Sequence, residues 1–208
     1  LRDSVWRRSV RSVAVLLLLQ LKLSSVSQGG PLETVAGGKP VKPLPPLGVG
    51  LDFFGIAHDA SGRTFVLASD FIFELTQAGL VRVAGSGMEG FSGDGGTALE
   101  ARFQFPVDIA VDGGGNLYVA DSGNFRVRKI DAATGTISTV AGNGIEGNTG
   151  EGGPATDASL GRISAVAVGP DQDLWIADRS GFRVLRVVGK SGLIERVAGT
   201  GQPGFDGD

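Results

Sequence analysis

The stretch at residues 109–142 reads IAVDGGGNLYVADSGNFRVRKIDAATGTISTVAG and decides the fold. It holds four short apolar runs separated by turns rich in Gly, Asp and Asn, which is the pattern of short strands. The chain repeats it 57 residues later, at 166–199, and a shorter copy lies at 56–85. Connections this short predict antiparallel pairing in every copy, because parallel strands need long crossovers.

The repeat predicts an all-β fold built from β-propeller blades of four antiparallel strands. Three blades are expected, at residues 50–85, 105–142 and 163–199, within a propeller region that spans 49–208. Each blade needs neighbours to cover its faces, and three blades cannot close a ring. The chain is therefore expected to be a fragment of a longer protein, or else to pair with a second half-propeller.

The first 27 residues are typical of a secretory signal peptide. Arginines at 7, 8 and 11 precede an apolar run at 13–19, and Ser25 and Ser27 suit cleavage after Ser27. Gln20 and Lys22 interrupt the run, so a stable membrane span is not expected; an anchored or buried N-terminal helix is the alternative. Export implies a secreted, periplasmic or extracellular protein.

Residues 28–48 are expected to hold a first strand and a Pro-rich connection. The segment 32–38, LETVAGG, matches the end of the repeat without the strands that should precede it. If two halves formed one ring, this segment would close it as the outermost strand of the last blade. The four prolines at 39–48 favour an extended loop, with a P-x-x-P docking site as the alternative.

Charge and composition exclude some classes of function. The net charge is −3, and residues 1–27 carry five basic side chains and one acid, so the rest of the chain carries −7. An acidic body argues against binding to nucleic acid or to anionic membranes. The chain has no Cys, which excludes disulfides, thiol nucleophiles and thiolate metal sites.

The motifs YVADSGNFRVRKI and WIADRSGFRVLRV resemble those of the NHL repeat family. The glycine-rich stretches between copies are similar to the long-insertion variety, found in bacterial exported proteins and in teneurin-type NHL domains. The resemblance implies a propeller, commonly six-bladed, that meets substrates or partners on one end face. The first copy, FVLASDFIFEL, departs from it, because it is shorter at the turn and lacks the Asp and Arg.

Charged residues recur with the blades. Asp121 with Arg126, and Asp178 with Arg183, are expected to fasten a hairpin turn in each blade, because an active site should not repeat. The insertions also carry acids in glycine-rich loops, and these are the candidates for ligand-binding residues: Asp94, Glu151, Asp206 and Asp208. Ca²⁺ is a possible ligand, although one carboxylate per loop falls short of six to eight oxygens. Blade-to-blade packing, in which each acid accepts backbone N–H bonds, is the favoured interpretation of these acids.

The sequence names no catalytic residue. His58 is the only histidine, which excludes a multi-His metal centre in this chain, and a strand position near the core or axis is expected for it. Tyr118 and Trp175 lie at equivalent positions and are expected to pack between blades.

The favoured function is an exported binding or scaffold module for a protein, glycan or peptide ligand. A lactonase-like hydrolase or lyase with a central divalent metal, and a structural segment of a large surface protein, are the alternatives.

Overall fold

The computed structural model describes residues 52–76 and 79–204, together with the backbone of two short strands, β1 (Val35–Ala36) and β2 (Lys39–Pro40). The predicted signal peptide, most of the Pro-rich connection, Asp206 and Asp208 lie outside the described residues. No helix among the described residues is long and apolar enough to cross a membrane.

The described chain forms three blades of four consecutive antiparallel strands, which confirms the predicted fold class. Each blade runs from an inner strand to an outer strand in sequence order. Blade 1 contains β3 (Phe53–His58), β4 (Thr64–Ala68), β5 (Phe71–Thr76) and β6 (Gly79–Ala84). Blade 2 contains β7 (Pro106–Val111), β8 (Leu117–Asp121), β9 (Arg126–Ile130) and β10 (Ile137–Ala141). Blade 3 contains β11 (Ile163–Val168), β12 (Leu174–Asp178), β13 (Arg183–Val187) and β14 (Ile194–Ala198).

Turn chemistry sets the hairpins. The Asp112 carboxylate accepts the backbone N–H groups of Gly114 and Asn116, both at 2.9 Å, and so closes the turn between β7 and β8. Between β8 and β9 a 3₁₀ turn, Ser122–Asn124, is followed by Phe125 at a φ of 53°. The first copy makes its corresponding hairpin with only two residues, Ser69 and Asp70, between β4 and β5.

The blades stack face to face, with the inner strands β3, β7 and β11 side by side. Phe65 and Leu67 of blade 1 pack with Leu117 and Val119 of blade 2. The opposite face of blade 2 supplies Tyr118 and several other side chains to a second core shared with blade 3. Alternate residues of each strand therefore serve different neighbours, as period-2 side-chain alternation requires.

Two long insertions connect the blades: insertion 1 (residues 85–105) and insertion 2 (residues 142–162). Each leaves an outer strand, makes a 3₁₀ turn (Ala98–Glu100 or Ala155–Asp157) and enters the next inner strand. Insertion 1 also exchanges hydrogen bonds with the outer strand of blade 2, from Gly95 N–H to Ile137 O (2.8 Å) and from Ile137 N–H to Gly96 O (3.0 Å). The insertions therefore tie neighbouring blades together at their outer edges.

The first strand lies beside blade 1 in the described structure. β1 pairs in parallel with β6, and β2 pairs antiparallel with β1, so both extend the outer edge of blade 1. The outer edge of β6 offers unpaired backbone groups, and β1 pairs with them. Closure of a ring of two halves by this segment stays a prediction.

Candidate functional site

The acid of the second blade is fully buried beneath insertion 1. Asp121 accepts the backbone N–H of Gln104 and the side-chain amide of Asn124, each at 2.8 Å. Its ion-pair partner is Arg128, with 3.5 Å between Oδ2 and Nη1, and not the predicted Arg126. Burial raises the pKa of Asp121 to about 6, outweighing the hydrogen bonds and the arginine that lower it.

Arg126 instead points away from the acid. Its guanidinium lies 3.9 Å from the ring centre of Phe91 and donates to the backbone oxygen of Asn143 at 2.8 Å. Arg126 and Arg128 are two positions apart and therefore project from the same face of β9. Arg128 reaches the buried acid, while Arg126 packs on the insertion.

In the third blade the buried aspartate pairs with the predicted arginine. Asp178 and Arg183 are both buried and pair at 3.0 Å, which confirms their predicted contact. The position equivalent to Arg128 is Leu185, so Arg183 is the arginine available on that face of β13. The backbone N–H groups of Gly161 and Gly181 also donate to the carboxylate, at 3.1 and 2.9 Å.

The two candidate ligand-binding acids that the structure describes, Asp94 and Glu151, each bind an arginine of the following blade. Asp94 Oδ1 accepts Arg128 Nη2 at 2.6 Å, and its Oδ2 accepts the Thr139 hydroxyl at 2.7 Å. Glu151 accepts Arg183 Nη1 at 2.9 Å. A carboxylate from the insertion, an arginine and a buried aspartate thus form a triad in both blades, which we call the insertion clamp. Ligand binding by these loops stays a prediction.

The insertions expose several apolar side chains to solvent. Because strand direction alternates, the insertions and the β8–β9 turn lie at one end of the sheets, here termed the insertion end. Met88 and Ile145 are 53% and 65% exposed there, and they occupy equivalent positions, each flanked by Gly and Glu. Phe105, directly before β7, is 61% exposed and has a φ of 46°. No role was predicted for these residues from the sequence, although Met88 and Ile145 recur there at the 57-residue offset.

The profile of the NHL repeat family matches residues 103–130, which cover β7, β8 and β9. Together with three four-stranded blades in succession, this match decides the architecture. Residues 103–130 are an NHL repeat, set among blades of the β-propeller type. The insertion clamp is thus a feature of how the blades are joined in this chain.

Several curated proteins are similar to parts of this chain. Teneurin-1 of Homo sapiens is 55% identical over 40 residues, which are 19% of this chain and 2% of teneurin-1. NHL repeat-containing protein 2 of Bos taurus is 32% identical over 91 residues, which are 43% of this chain and 12% of that protein. The chain therefore matches only a small part of each of these relatives.

Among solved structures, a Bacteroides thetaiotaomicron protein of unknown function has the same fold. It superposes with a TM-score of 0.55 at 16% identity, over 71% of this chain and 36% of that one. This likeness supports the fold alone.

The inner strands of the three blades carry few side chains that could act as catalytic groups or metal ligands. Among β3, β7 and β11 the only acid is Asp108, whose Oδ2 accepts the backbone N–H of Val166 at 3.0 Å. His58 ends β3, as expected for a strand residue near the axis, but its side chain is exposed and its Nδ1 lies 2.9 Å from the Thr64 hydroxyl. Within the described ranges, no group of three or more His, Cys, Asp or Glu side chains is placed to hold a metal ion. Bound Ca²⁺ stays a prediction.

The aromatic pair at equivalent positions behaves differently in the two blades. Tyr118 is 7% exposed in the core between blades 2 and 3, as predicted for inter-blade packing. Trp175 is 37% exposed, because no described element covers that face of blade 3. Arg186 lies beside its ring, 5.8 Å from the ring centre.

Proposed function

We propose that this NHL propeller is an exported, non-catalytic binding module that holds a protein partner at its insertion end. The observation that carries the proposal is the paired display of Met88 and Ile145 at equivalent insertion positions, more than half exposed in both. Because both side chains are more than half exposed, packing within the chain does not account for an apolar residue at this position in each insertion. Met and aromatic side chains are enriched in protein interfaces.

Rigidity supports the same role. Each insertion is held by a charge-assisted contact to a buried arginine, at 2.6 Å for Asp94 and 2.9 Å for Glu151. A loop fixed before binding loses less conformational freedom when the partner docks, which favours affinity. Export is part of the proposal and rests on the basic and apolar pattern of residues 1–27.

The enzyme alternative finds less support. A propeller hydrolase with a central metal needs acids or amides from several blades that converge at the axis. The described inner strands supply mainly aliphatic, aromatic and small residues, and Asp108 already accepts a backbone N–H from blade 3. A segment of a large surface protein is compatible with the proposal, with the partner then being another part of the same protein.

Photo-crosslinking tests the binding proposal. The full chain would carry p-benzoylphenylalanine in place of Met88 or Ile145, with Lys190, exposed in a turn at the opposite end, as the matched control position. We expect a discrete protein crosslink, from the extracellular fraction of producing cells, at 88 and 145 but not at 190. Met88→Ser with Ile145→Ser should weaken binding of that protein at least about 10-fold with little loss of stability. Equal crosslinking at all three positions, or unchanged affinity in the double variant, would refute the proposal.

A further inference from the structure

A cavity of about 340 Å³ opens beside the insertion clamp of blade 3. Its lining includes Asn148, Glu151, Arg183 and Arg196, together with the loop at residues 200–202. Arg183 is buried and forms its floor, whereas Glu151 and Arg196 are about one-third exposed and meet each other at 3.4 Å. The cavity is therefore an open, polar recess with one rigid side.

The same place in blade 2 is filled. Each lining residue has a counterpart 57 positions earlier, and the counterpart of Asn148 is Phe91. The Phe91 ring packs over Arg126 at 3.9 Å and over Arg128 at 4.7 Å. The cavity of blade 3 exists because a short amide replaces a phenyl ring and because Arg183 turns inward to Asp178.

A following blade would not close this recess. Phe91 keeps 42% of its surface exposed although blade 3 is present beside blade 2. The equivalent position in blade 3 is therefore solvent-accessible in a propeller that continues in the same way.

The lining selects the chemistry of a ligand. The carboxylates of Glu151 and of the buried Asp178 offset the two arginines. The charges at the recess therefore balance, and it suits a neutral molecule. Arg183 donates mainly to protein groups, so the Arg196 guanidinium and the Asn148 amide are the donors that face a ligand, and the Glu151 carboxylate is an acceptor. A sugar hydroxyl does both, and a single pyranose ring replaces the volume that Phe91 fills in blade 2. We infer that this recess binds one neutral sugar unit of a glycan, independently of the protein-binding role proposed above.

The test uses the purified full chain and three probes: methyl α-D-mannopyranoside, methyl β-D-glucopyranoside and methyl β-D-galactopyranoside. Saturation-transfer NMR and calorimetry should detect at least one of them with a roughly millimolar Kd, as the size of the ligand allows. Asn148→Phe fills the recess as blade 2 does, so it should weaken binding at least about 10-fold and leave the circular dichroism spectrum unchanged. Lys190→Ala, at the opposite end, should bind as the parent chain does.

Several outcomes would overturn the assignment. These are the absence of binding for all three glycosides, binding that Asn148→Phe leaves intact, and tighter binding of methyl β-D-glucuronide than of its neutral counterpart. Binding of N-acetylglutamine amide without binding of any sugar would assign the recess to a peptide instead and would equally reject a glycan site. None of these results would bear on the crosslinking at Met88 and Ile145.

Discussion

Replacing Arg128 with leucine is expected to lower the free energy of unfolding by about 3–5 kcal/mol, the cost of breaking one side of a buried ion pair. Arg128 is fully buried and pairs with both Asp94 and Asp121. Without it, Asp121 stays buried with only the Gln104 N–H and the Asn124 amide as partners. Urea unfolding followed by circular dichroism measures the change as a shift of the midpoint at constant slope.

Lys129 supplies the matched control for this variant. It is the next residue on β9 and is half-buried, and its ammonium group lies 5.8 Å from the ring centre of the buried Tyr118. Lys129→Leu should change the unfolding free energy by no more than about 1 kcal/mol. Equal effects of the two substitutions would show that Arg128 contributes only as an ordinary strand residue.

Replacing Gly142 with alanine is the second change with a large expected effect, about 2–4 kcal/mol of destabilisation. Gly142 ends the VAG motif, the three residues 140–142 that close this copy of the repeat. Its φ is 89°, and an added Cβ would overlap the backbone oxygen of Phe125. The backbone of the β8–β9 turn must move to accept it. Thermal unfolding should show a drop in Tm of roughly 5–15 °C for a chain of this size.

Gly135 separates backbone strain from steric overlap. It has a φ of 70° and nothing within 4 Å of an added Cβ. Gly135→Ala should therefore cost only the left-handed conformation, about 1 kcal/mol. If Gly142→Ala were no worse than Gly135→Ala, the close approach at the VAG motif would not constrain the blade.

The repeat predicted the blades because each strand is short, alternates in polarity and ends at a turn residue within a few positions. The contact of Asp178 with Arg183 was predicted correctly because β13 has a single arginine on the face toward the acid. The prediction for Asp121 was wrong, because Arg126 and Arg128 share a face and strand periodicity cannot choose between them. The choice depends on Phe91, a residue of the preceding insertion that packs on Arg126.

The roles of the insertions were the least accessible to sequence reasoning. Asp94 and Glu151 were recognised as equivalent acids, but their arginine partners lie more than 30 positions further along the chain. Pattern analysis sees local spacing, whereas these contacts depend on how one blade docks on the next. Met88 and Ile145 recur at the 57-residue offset, but single apolar residues in glycine-rich loops lie outside the strand alternation that predicted the blades.

A double-mutant cycle between Asp94 and Arg128 tests most directly whether the insertions fasten the blades. The unfolding free energies of the parent chain, Asp94→Ala, Arg128→Leu and the double variant give the coupling between the two side chains. The insertion clamp predicts a favourable coupling of about 1–3 kcal/mol. A coupling below about 0.3 kcal/mol would contradict it and would leave Asp94 free for another role.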